Sequence, residues 1–457
     1  MIPAGLIKTF EFTLLQSSLS AACSLVFGFF GFLGLCSLST KRAKHFLSLM
    51  ALLPNVLPVL FVIIATLNMV EMMKGNLLGL WGIVILHSLI NVGLVALGLY
   101  SGVESKFGGL LEFCWLAGAR KWQVFKQVII LLKADLASLF FFVFSFCFVS
   151  FAVPLVLGGG FQRSLEVFIY EEIRIKGDLV SSLLLTLLQA FMLFLFSRLF
   201  WTKKPIEVLE SRNLKIISWS PGILAIVAPA LVVVIGLAAP TMNLYWLKDF
   251  KLIFGDVLSV LPQTLFVGLF TGAIVFVAFC ILGWFYPCRF MQHLLFSISA
   301  PSMVVLGFLL FIFGPKGEWI SLLKIGFGLG LAFVPALYKL YLATDFKRLF
   351  RQYEVANTLG VKRGMFFRSV IYPQINNQIL QAARLAGLWA VGDFALSAIV
   401  APSSITLPLV IKDLLQSYRL DLATVYCWVL LIVGIVVYLL LGVFGRVFSA
   451  KFDQRVL

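Results

Sequence analysis

The feature that most constrains this chain is a series of eleven long apolar runs, which lie near residues 12–38, 47–70, 77–100, 133–158, 179–201, 219–239, 257–285, 293–314, 320–343, 377–401 and 421–445. A helix needs roughly 20 apolar residues to cross about 30 Å of hydrocarbon. Backbone groups inside a bilayer find no water, so each span must satisfy its own hydrogen bonds. The sequence therefore predicts an all-α polytopic membrane protein with about eleven transmembrane helices.

Composition excludes a soluble fold. Of the 457 residues, 61% are hydrophobic and 12% are charged, and the mean hydropathy is +1.05. A net charge of +16 would suggest a nucleic-acid partner in a soluble protein. Here the lysines and arginines collect in particular loops, so they are better explained as setting the orientation in the membrane. We expect no nucleic acid among the partners.

Loop charge predicts which ends of the spans face the cytoplasm, because cytoplasmic loops carry an excess of lysine and arginine. The basic loops hold Lys41, Arg42, Lys44, Lys106, Arg120, Lys121, Lys126, Lys203, Lys204, Arg212, Lys215, the run from Lys347 to Arg368, Lys451 and Arg455. The alternate loops are poorer in positive charge, and we place them, with the N-terminus, on the outer face.

One basic loop, from Asp345 to Pro373, has an internal design. Its first half places Phe346, Leu349, Phe350 and Tyr353 on one helical stripe and basic residues on the other side. Gly360 then predicts the end of that helix and a sharp turn. A second helical segment leads into the next apolar run, so the pattern is helix, turn, helix at the membrane surface.

The same frame occurs 242 residues earlier, with Glu112 for Glu354 and Gly118 for Gly360. Further matches are Arg120 and Lys121 for Lys362 and Arg363, Phe125 for Phe367, Lys126 for Arg368, and Val128 for Val370. The earlier copy departs at Phe113, Cys114 and Leu131. Either segment alone reads as a basic cytoplasmic loop, but two copies in register favour a dedicated role.

These loops resemble the Glu-Ala-Ala loop of permease subunits of binding-protein-dependent ABC importers. Glu354, Ala356, Gly360, Val370 and Pro373 stand at that loop's spacings, with Val355 replacing its first alanine. The resemblance implies a coupling helix in each repeat on which an ABC ATPase subunit docks, one of two copies. The implied docking residues are Glu112, Ala117, Gly118, Ala119, Glu354, Ala356, Gly360 and Val361.

More of the chain repeats in parallel. Six predicted spans separate the two loops, so both return to the same face. Gln16-Ser17 resembles Gln263-Thr264, and Ser150 to Ala152 aligns with Asp393 to Ala395 after a one-residue shift. The span near 219–239 has no partner in the first half. We therefore predict a five-helix repeat at 1–217 and a six-helix repeat at 218–457.

No residue constellation indicates catalysis. The sequence has no G-x-x-x-x-G-K-[ST] phosphate loop, its three histidines lie at three different spans, and its seven cysteines form no CxxC pair. We expect no metal site and no cofactor. If ATP drives the protein, another polypeptide hydrolyses it. The N-terminal apolar run lacks a charged n-region and is expected to remain as a span.

Polar residues within spans are candidates for a pore because lipid does not solvate them. Asp393 is the strongest and Asn91 the second. Each has a structural alternative, a hydrogen bond or ion pair between helices. Arg384 lies nine residues before Asp393, on the opposite face of a straight helix, so we do not expect these two to pair.

Within the family, fused double-length permeases serve thiamine or ferric iron. Gly392 to Phe394, Thr406 to Pro408, Gln416 to Arg419 and His87 to Val92 resemble the thiamine group more closely. The resemblance implies a location in a bacterial inner membrane. It also implies a periplasmic substrate-binding protein as a further partner, besides membrane lipid. An ion-coupled secondary transporter is the rival from another class, but it leaves the repeated basic loops unexplained.

Overall fold

The computed structural model describes residues 5–160, 162–199, 219–242, 250–286, 295, 302–313, 315, 317–401, 403 and 405–453. Regular structure in these residues is helical throughout. By packing, the chain divides into two compact units, Met1–Leu244 and Tyr245–Leu457. The polytopic all-α fold expected from the apolar runs is confirmed.

The first unit contains nine helices in its described residues. They are α1 (Leu6–Ser37), α2 (Lys41–Val56), α3 (Val59–Met72), α4 (Leu80–Leu116), α5 (Lys121–Phe148), α6 (Ala152–Leu157), α7 (Leu165–Glu171), α8 (Leu179–Leu199) and α9 (Ile223–Thr241). Polar side chains cap the start of α2, α7 and α8, where the Asp178 carboxylate accepts from the Ser181 N–H. The Thr40 hydroxyl accepts a hydrogen bond from the Ala43 N–H, and the Ser164 hydroxyl accepts one from the Val167 N–H.

The second unit contains nine further helices in the part described. They are α10 (Phe250–Trp284), α11 (Met303–Ile312), α12 (Glu318–Leu337), α13 (Ala343–Thr358), α14 (Arg363–Phe366), α15 (Tyr372–Val391), α16 (Ala395–Val400), α17 (Leu407–Gln416) and α18 (Leu420–Asp453). Single π-helical turns join α12 to α13 (Tyr338–Leu342) and α14 to α15 (Phe367–Ile371).

Seven helices within the described ranges are long and apolar enough to cross a membrane, or eight if one bent pair counts as a span. The exact count of eleven is not confirmed. Part of the predicted span at 293–314 lies outside the described residues. The helix over 372–391, with several glutamines and asparagines, is not among the seven.

Three predicted spans are interrupted for local chemical reasons. The one at 47–70 bends by 98° between α2 and α3, because Leu57 precedes Pro58 and takes an extended backbone instead of a helical one. The one at 133–158 ends its long helix at Phe148, and α6 holds Pro154, which has no N–H for a continuous helix. The one at 377–401 breaks at Gly392.

The helix α9 packs within the first unit through backbone-to-backbone contacts at glycines. A Cβ on Gly222 would lie 2.1 Å from the Phe30 carbonyl oxygen in α1, and one on Gly236 would lie 2.1 Å from that of Ala65 in α3. The Asn68 side-chain amide also donates to the Gly236 carbonyl at 2.7 Å. The predicted repeat boundary at 217/218 stays a prediction, while packing joins α9 to the helices that precede it.

In the second unit, α10 lies closely against α15. A Cβ on Gly272 would lie 2.9 Å from the Ala383 carbonyl oxygen, and one on Gly387 would lie 3.0 Å from the Gly268 carbonyl oxygen. Small residues on facing helices allow this separation, which favours van der Waals packing in a bilayer. The long helix α10 and the helix that follows the second basic loop therefore form a close pair.

Candidate functional site

The second basic loop closes with a left-handed glycine. Helix α13 ends at Thr358, and Gly360 has a φ of 69°, a value that L-residues with a Cβ rarely adopt. The Val361 N–H donates to the Ala356 carbonyl at 3.0 Å, which spans the turn and satisfies one of the helix's last carbonyls. The predicted stop at Gly360 is therefore a Schellman-type helix end.

The first basic loop closes in the same way. Gly118 has a φ of 76°, and the Ala119 N–H donates to the Cys114 carbonyl at 3.0 Å. The Ala117 N–H donates to the Phe113 carbonyl at 2.9 Å. Each atom pair across this turn has its counterpart 242 residues later, so the two loops share one backbone geometry. The side chain of Glu112 lies outside the described residues.

The two loops differ after the turn. In the first, α5 starts after Arg120, whose N–H donates to the Gln123 side chain at 3.0 Å, and runs unbroken through Leu131. In the second, a π turn separates α14 from α15, and Pro373 stands in the first turn of α15. A proline lacks the N–H that a continuous α-helix requires there. The first loop has Leu131 in place of this proline, and its helix is continuous at that position.

The inner side of the second loop rests on an aromatic cluster, made of Tyr286, Tyr338, Phe346, Tyr353 and Phe366. The hydroxyl of Tyr286, just beyond the end of α10, donates to the Phe346 carbonyl at 2.5 Å, and the two rings stack at 4.9 Å. The ring of Tyr338 also stacks on Phe346, at 5.8 Å, and the ring of Tyr353 meets that of Phe366 edge-on at 5.6 Å. The predicted stripe is therefore buried at Phe346 and partly buried at Tyr353.

The Tyr286 hydroxyl keeps its proton. Burial raises the pKa of Tyr286 far above its usual range, and the negative charge of nearby Glu354 raises it further. A neutral hydroxyl can donate to the Phe346 carbonyl at any physiological pH. The hydrogen bond between the end of α10 and the first turn of α13 is thus insensitive to pH.

The solvent-facing side of both loops, here called the outer side of the loops, exposes several apolar side chains. Val355, Leu359 and Met365 are 59%, 75% and 62% exposed in the second loop. In the first, Phe113, Leu116 and Trp122 are 69%, 89% and 70% exposed. These exposed apolar residues lie among lysines and arginines such as Lys362 and Arg120, not within an apolar span. A large exposed apolar surface with a polar rim indicates a protein-interaction site.

The other predicted docking residues are also divided between the buried inner side and the exposed outer side of the loops. Glu354 is exposed on the outer side, whereas Ala356 and Val361 are partly buried and pack against the aromatic cluster. In the first loop Ala117 and Gly118 are exposed and Ala119 is half-buried. Their assignment to docking stays a prediction.

The pore candidate Asn91 is buried in the first unit. Its side-chain amide donates to the His87 carbonyl at 2.8 Å and lies 3.9 Å from the Cys147 sulfur. The His87 Nδ1 is 3.3 Å from the Ser20 hydroxyl. Asn91 thus belongs to a polar contact among α1, α4 and α5, and its pore role stays a prediction.

The pore candidate Asp393 lies at the break before α16. Its carboxylate accepts a hydrogen bond from the Leu396 N–H in the first turn of α16 at 3.2 Å, from the residue before the N-cap Phe394. Arg384 instead points to α18, where its Nε donates to the Tyr438 carbonyl at 3.1 Å and its guanidinium stacks on the Tyr438 ring at 3.8 Å. The two residues have separate partners, but they do not share one straight helix as the sequence suggested, because α15 ends at Val391.

Sequence reasoning missed Tyr286 and Thr264. Tyr286 is 60 residues from Phe346, and no periodicity relates them. The Thr264 hydroxyl accepts a hydrogen bond from the Leu407 N–H at 3.0 Å, and in the first unit the Thr13 hydroxyl accepts one from the Leu165 N–H at 2.9 Å. The repeated sequence signal pairs Ser17, not Thr13, with Thr264.

Comparison with known proteins agrees with this geometry. Residues 288–457, which include the second loop, match the family described as "Binding-protein-dependent transport system inner membrane component". The thiamine transport system permease protein ThiP of Haemophilus influenzae is 24% identical in an alignment of 387 residues that covers 79% of this chain and 71% of that relative. No solved structure matches the chain. The chain is a multi-pass inner membrane protein whose residues 288–457 match the inner membrane component of binding-protein-dependent transport systems, and most of the chain is similar to a thiamine permease.

Proposed function

We propose that this permease forms the transmembrane path for thiamine or a thiamine phosphate, that a periplasmic binding protein delivers the substrate, and that a separate ABC ATPase drives transport. The observation that carries the proposal is the repeated turn at Gly118 and Gly360, with exposed apolar side chains on its outer side. Two matched turns in one chain fit two copies of the ATPase subunit.

The surface chemistry of the loops supports ATPase docking. Exposed aromatic and aliphatic side chains such as Trp122 and Leu359, surrounded by basic residues, resemble the apolar centre and polar rim of a protein interface. The chain itself has no phosphate-binding loop in its 457 residues. Hydrolysis is therefore assigned to the partner, and the permease is a transport subunit that does not act as an enzyme.

The packing beneath the second loop supports a mechanical role. Helix α13 is fixed on its inner side by the buried Phe346 and by the Schellman bond at Val361, so a push on its outer side moves it as a body. Closure of the ATPase dimer would displace both loops together and switch the spans between inward-open and outward-open states. The outer segments at 158–178 and 401–420 are assigned to the binding protein.

The substrate class rests on the name of the relative and on the thiamine-like segments noted above. A ferric iron permease is the alternative within the family, and substrate choice would then lie in the binding protein. An ion-coupled secondary transporter is the alternative of another class. It gives no reason for two closed turns that expose apolar side chains.

Reconstituted uptake tests the proposal. Proteoliposomes that contain the permease, its ATPase and its binding protein should take up thiamine only when ATP is supplied. Uptake driven by an ion gradient without the ATPase would reject the ABC mechanism. ATP-dependent uptake of ferric iron but not thiamine would reject the substrate assignment alone.

A charge reversal tests the docking surface. Glu354 is exposed in the last turn of α13, where a lysine is favourable for the helix dipole, so Glu354→Lys should leave the loop folded. We expect about a tenfold loss of ATPase affinity, equal to about 1.4 kcal/mol. The matched control is Glu71→Lys, an exposed glutamate in the last turn of α3, at the end assigned to the outer face. Equal ATPase co-purification with both variants would remove Glu354 from the interface.

A further inference from the structure

The helix α10 is fixed at two levels to elements on opposite faces of the second unit. Near its C-terminal end, the Tyr286 hydroxyl binds the Phe346 carbonyl of α13. One membrane thickness away, the Thr264 hydroxyl accepts a hydrogen bond from the first residue of α17, Leu407. Both hydroxyl-bearing residues are almost completely buried, Tyr286 at 3% and Thr264 at 1% exposure.

The separation of these two points matches the bilayer. Thr264 and Tyr286 are 22 positions apart, and at 1.5 Å per residue that is about 33 Å along the axis. The hydrocarbon core is about 30 Å thick. Pro262 lies outside this segment, on the side away from Tyr286, so the hydrogen-bonded helix between the two points contains no proline.

Packing along its length prevents α10 from moving alone. The glycine contacts at Gly268 and Gly272 hold it against α15, which follows the same loop. A Cβ on Gly283 would lie 2.9 Å from the Phe367 ring, in the π turn just before α15. Displacement of the second loop is therefore carried to α10 through Tyr286 on one side and through α15 on the other.

The bond at Thr264 has a counterpart in the first unit. The hydroxyl of Thr13 in α1 accepts from the N–H of Leu165, the first residue of α7, and Thr13 is completely buried. The same donor and acceptor types connect the first long helix of each unit to the start of a short helix. Because the same type of contact occurs in both units, it is a repeated feature of the architecture.

We propose that the part of α10 from Thr264 to its C-terminal end transmits the movement of the second coupling loop to α17 on the outer face, with Thr264 and, just beyond that end, Tyr286 as the positioning residues. The inference rests on the proposed function, because the ATPase supplies the movement. The two contacts lie on one path from the loop to α17, and α15 supplies a second contact between the loop and α10. Loss of either bond should therefore weaken the coupling in part, and loss of both should weaken it more than loss of one.

The test measures α17 directly. A Ser417→Cys substitution places a reporter at the exposed end of α17, and the parent chain without this cysteine gives the background from native thiols. The permease, its ATPase and its binding protein are assembled in nanodiscs. The labelling rate with a membrane-impermeant maleimide is measured without nucleotide and with ATP plus vanadate.

The variants each remove one hydrogen bond and little else. Tyr286→Phe keeps the ring stack but loses the donor, and Thr264→Val keeps the shape but loses the acceptor. We expect each to reduce the nucleotide-dependent change in labelling about fivefold, the factor that about 1 kcal/mol represents. Matched controls are Tyr353→Phe, in the same aromatic cluster, and Thr264→Ser, which keeps the acceptor. Both controls should retain the parental change.

Several results would overturn the inference. If Tyr286→Phe and Thr264→Val respond to nucleotide as the parent does, α10 carries no coupling. If only one of the two single variants reduces the nucleotide-dependent change, the two contacts do not lie on one path. Either result, obtained while the parent retains ATP-driven uptake, rejects the role of α10 and leaves the proposed function intact. Gel filtration of every variant confirms that it is folded.

Discussion

The glycine at position 236 offers a direct test of how α9 is packed. In a Gly236→Ala variant the new Cβ would lie 2.1 Å from the Ala65 carbonyl oxygen and 2.7 Å from its carbonyl carbon. These are backbone atoms, which cannot rotate away as a side chain does. The helix α9 must therefore move by about 1 Å to restore an ordinary contact distance.

The expected cost follows from three contributions. Overpacking of a well-packed contact costs about 1–3 kcal/mol. Displacement also weakens the hydrogen bond from Asn68 to the Gly236 carbonyl, which is worth about 0.6 kcal/mol in a membrane helix pair. Alanine in place of glycine returns up to about 1 kcal/mol of helix propensity. The net destabilisation is about 0.5–2.5 kcal/mol, and Gly236→Val should exceed it.

The assay is thermal unfolding of the purified permease, followed by the fraction that elutes as a monodisperse peak. For a unit of this size, about 1 kcal/mol shifts the melting temperature by about 2–4 °C, so Gly236→Ala should lower it by about 1–10 °C. The matched control is Gly255→Ala in α10, where a Cβ would meet nothing within 4 Å. If Gly236→Ala melts with or above both the parent and Gly255→Ala, the backbone contact between α9 and α3 is wrong.

Two further predictions concern single contacts. At Gly360 and Gly118, φ is positive and a Cβ would meet nothing within 4 Å. Asparagine should preserve uptake better than valine at these positions, because asparagine tolerates the left-handed conformation and a β-branched residue does not. Equal uptake by both substitutions would show that the turn is not needed. Arg384→Met should lower stability by about 1 kcal/mol through loss of the bond to the Tyr438 carbonyl and of the ring contact, and an unchanged melting temperature would contradict this.

The turns of the two basic loops could be predicted from sequence because their chemistry is local. A glycine stops a helix within a few residues, and the spacing from Glu354 to Gly360 needs no distant partner. The second occurrence at Gly118 strengthened the interpretation. The structure added what lies beneath: the sequence predicted the stripe of Phe346 and its neighbours, but not the ring of Tyr286 that covers it.

Boundaries between spans were harder to predict. Apolar composition continues through Leu57 and Pro58, so the run at 47–70 looked like one helix, whereas the residue before proline avoids the helical backbone and the pair bends by 98°. The break at Gly392 is hidden in the same way within an apolar run. Hydropathy measures how much of a segment prefers lipid, and it carries little information on where the backbone turns.

The amino-acid sequence alone determined that this is a helical membrane protein, that two basic loops share one turn, and which face of the membrane those loops were expected to occupy. Each of these depends on run length, loop charge or the conformational freedom of glycine, which act over short stretches of chain. The tertiary structure decided that α9 packs against α1 and α3, that Tyr286 binds α13, and that Thr264, like Thr13, fixes the start of a short helix. Those contacts join residues that are far apart in sequence. A close approach between two helix backbones leaves no periodic signal in the sequence of either helix.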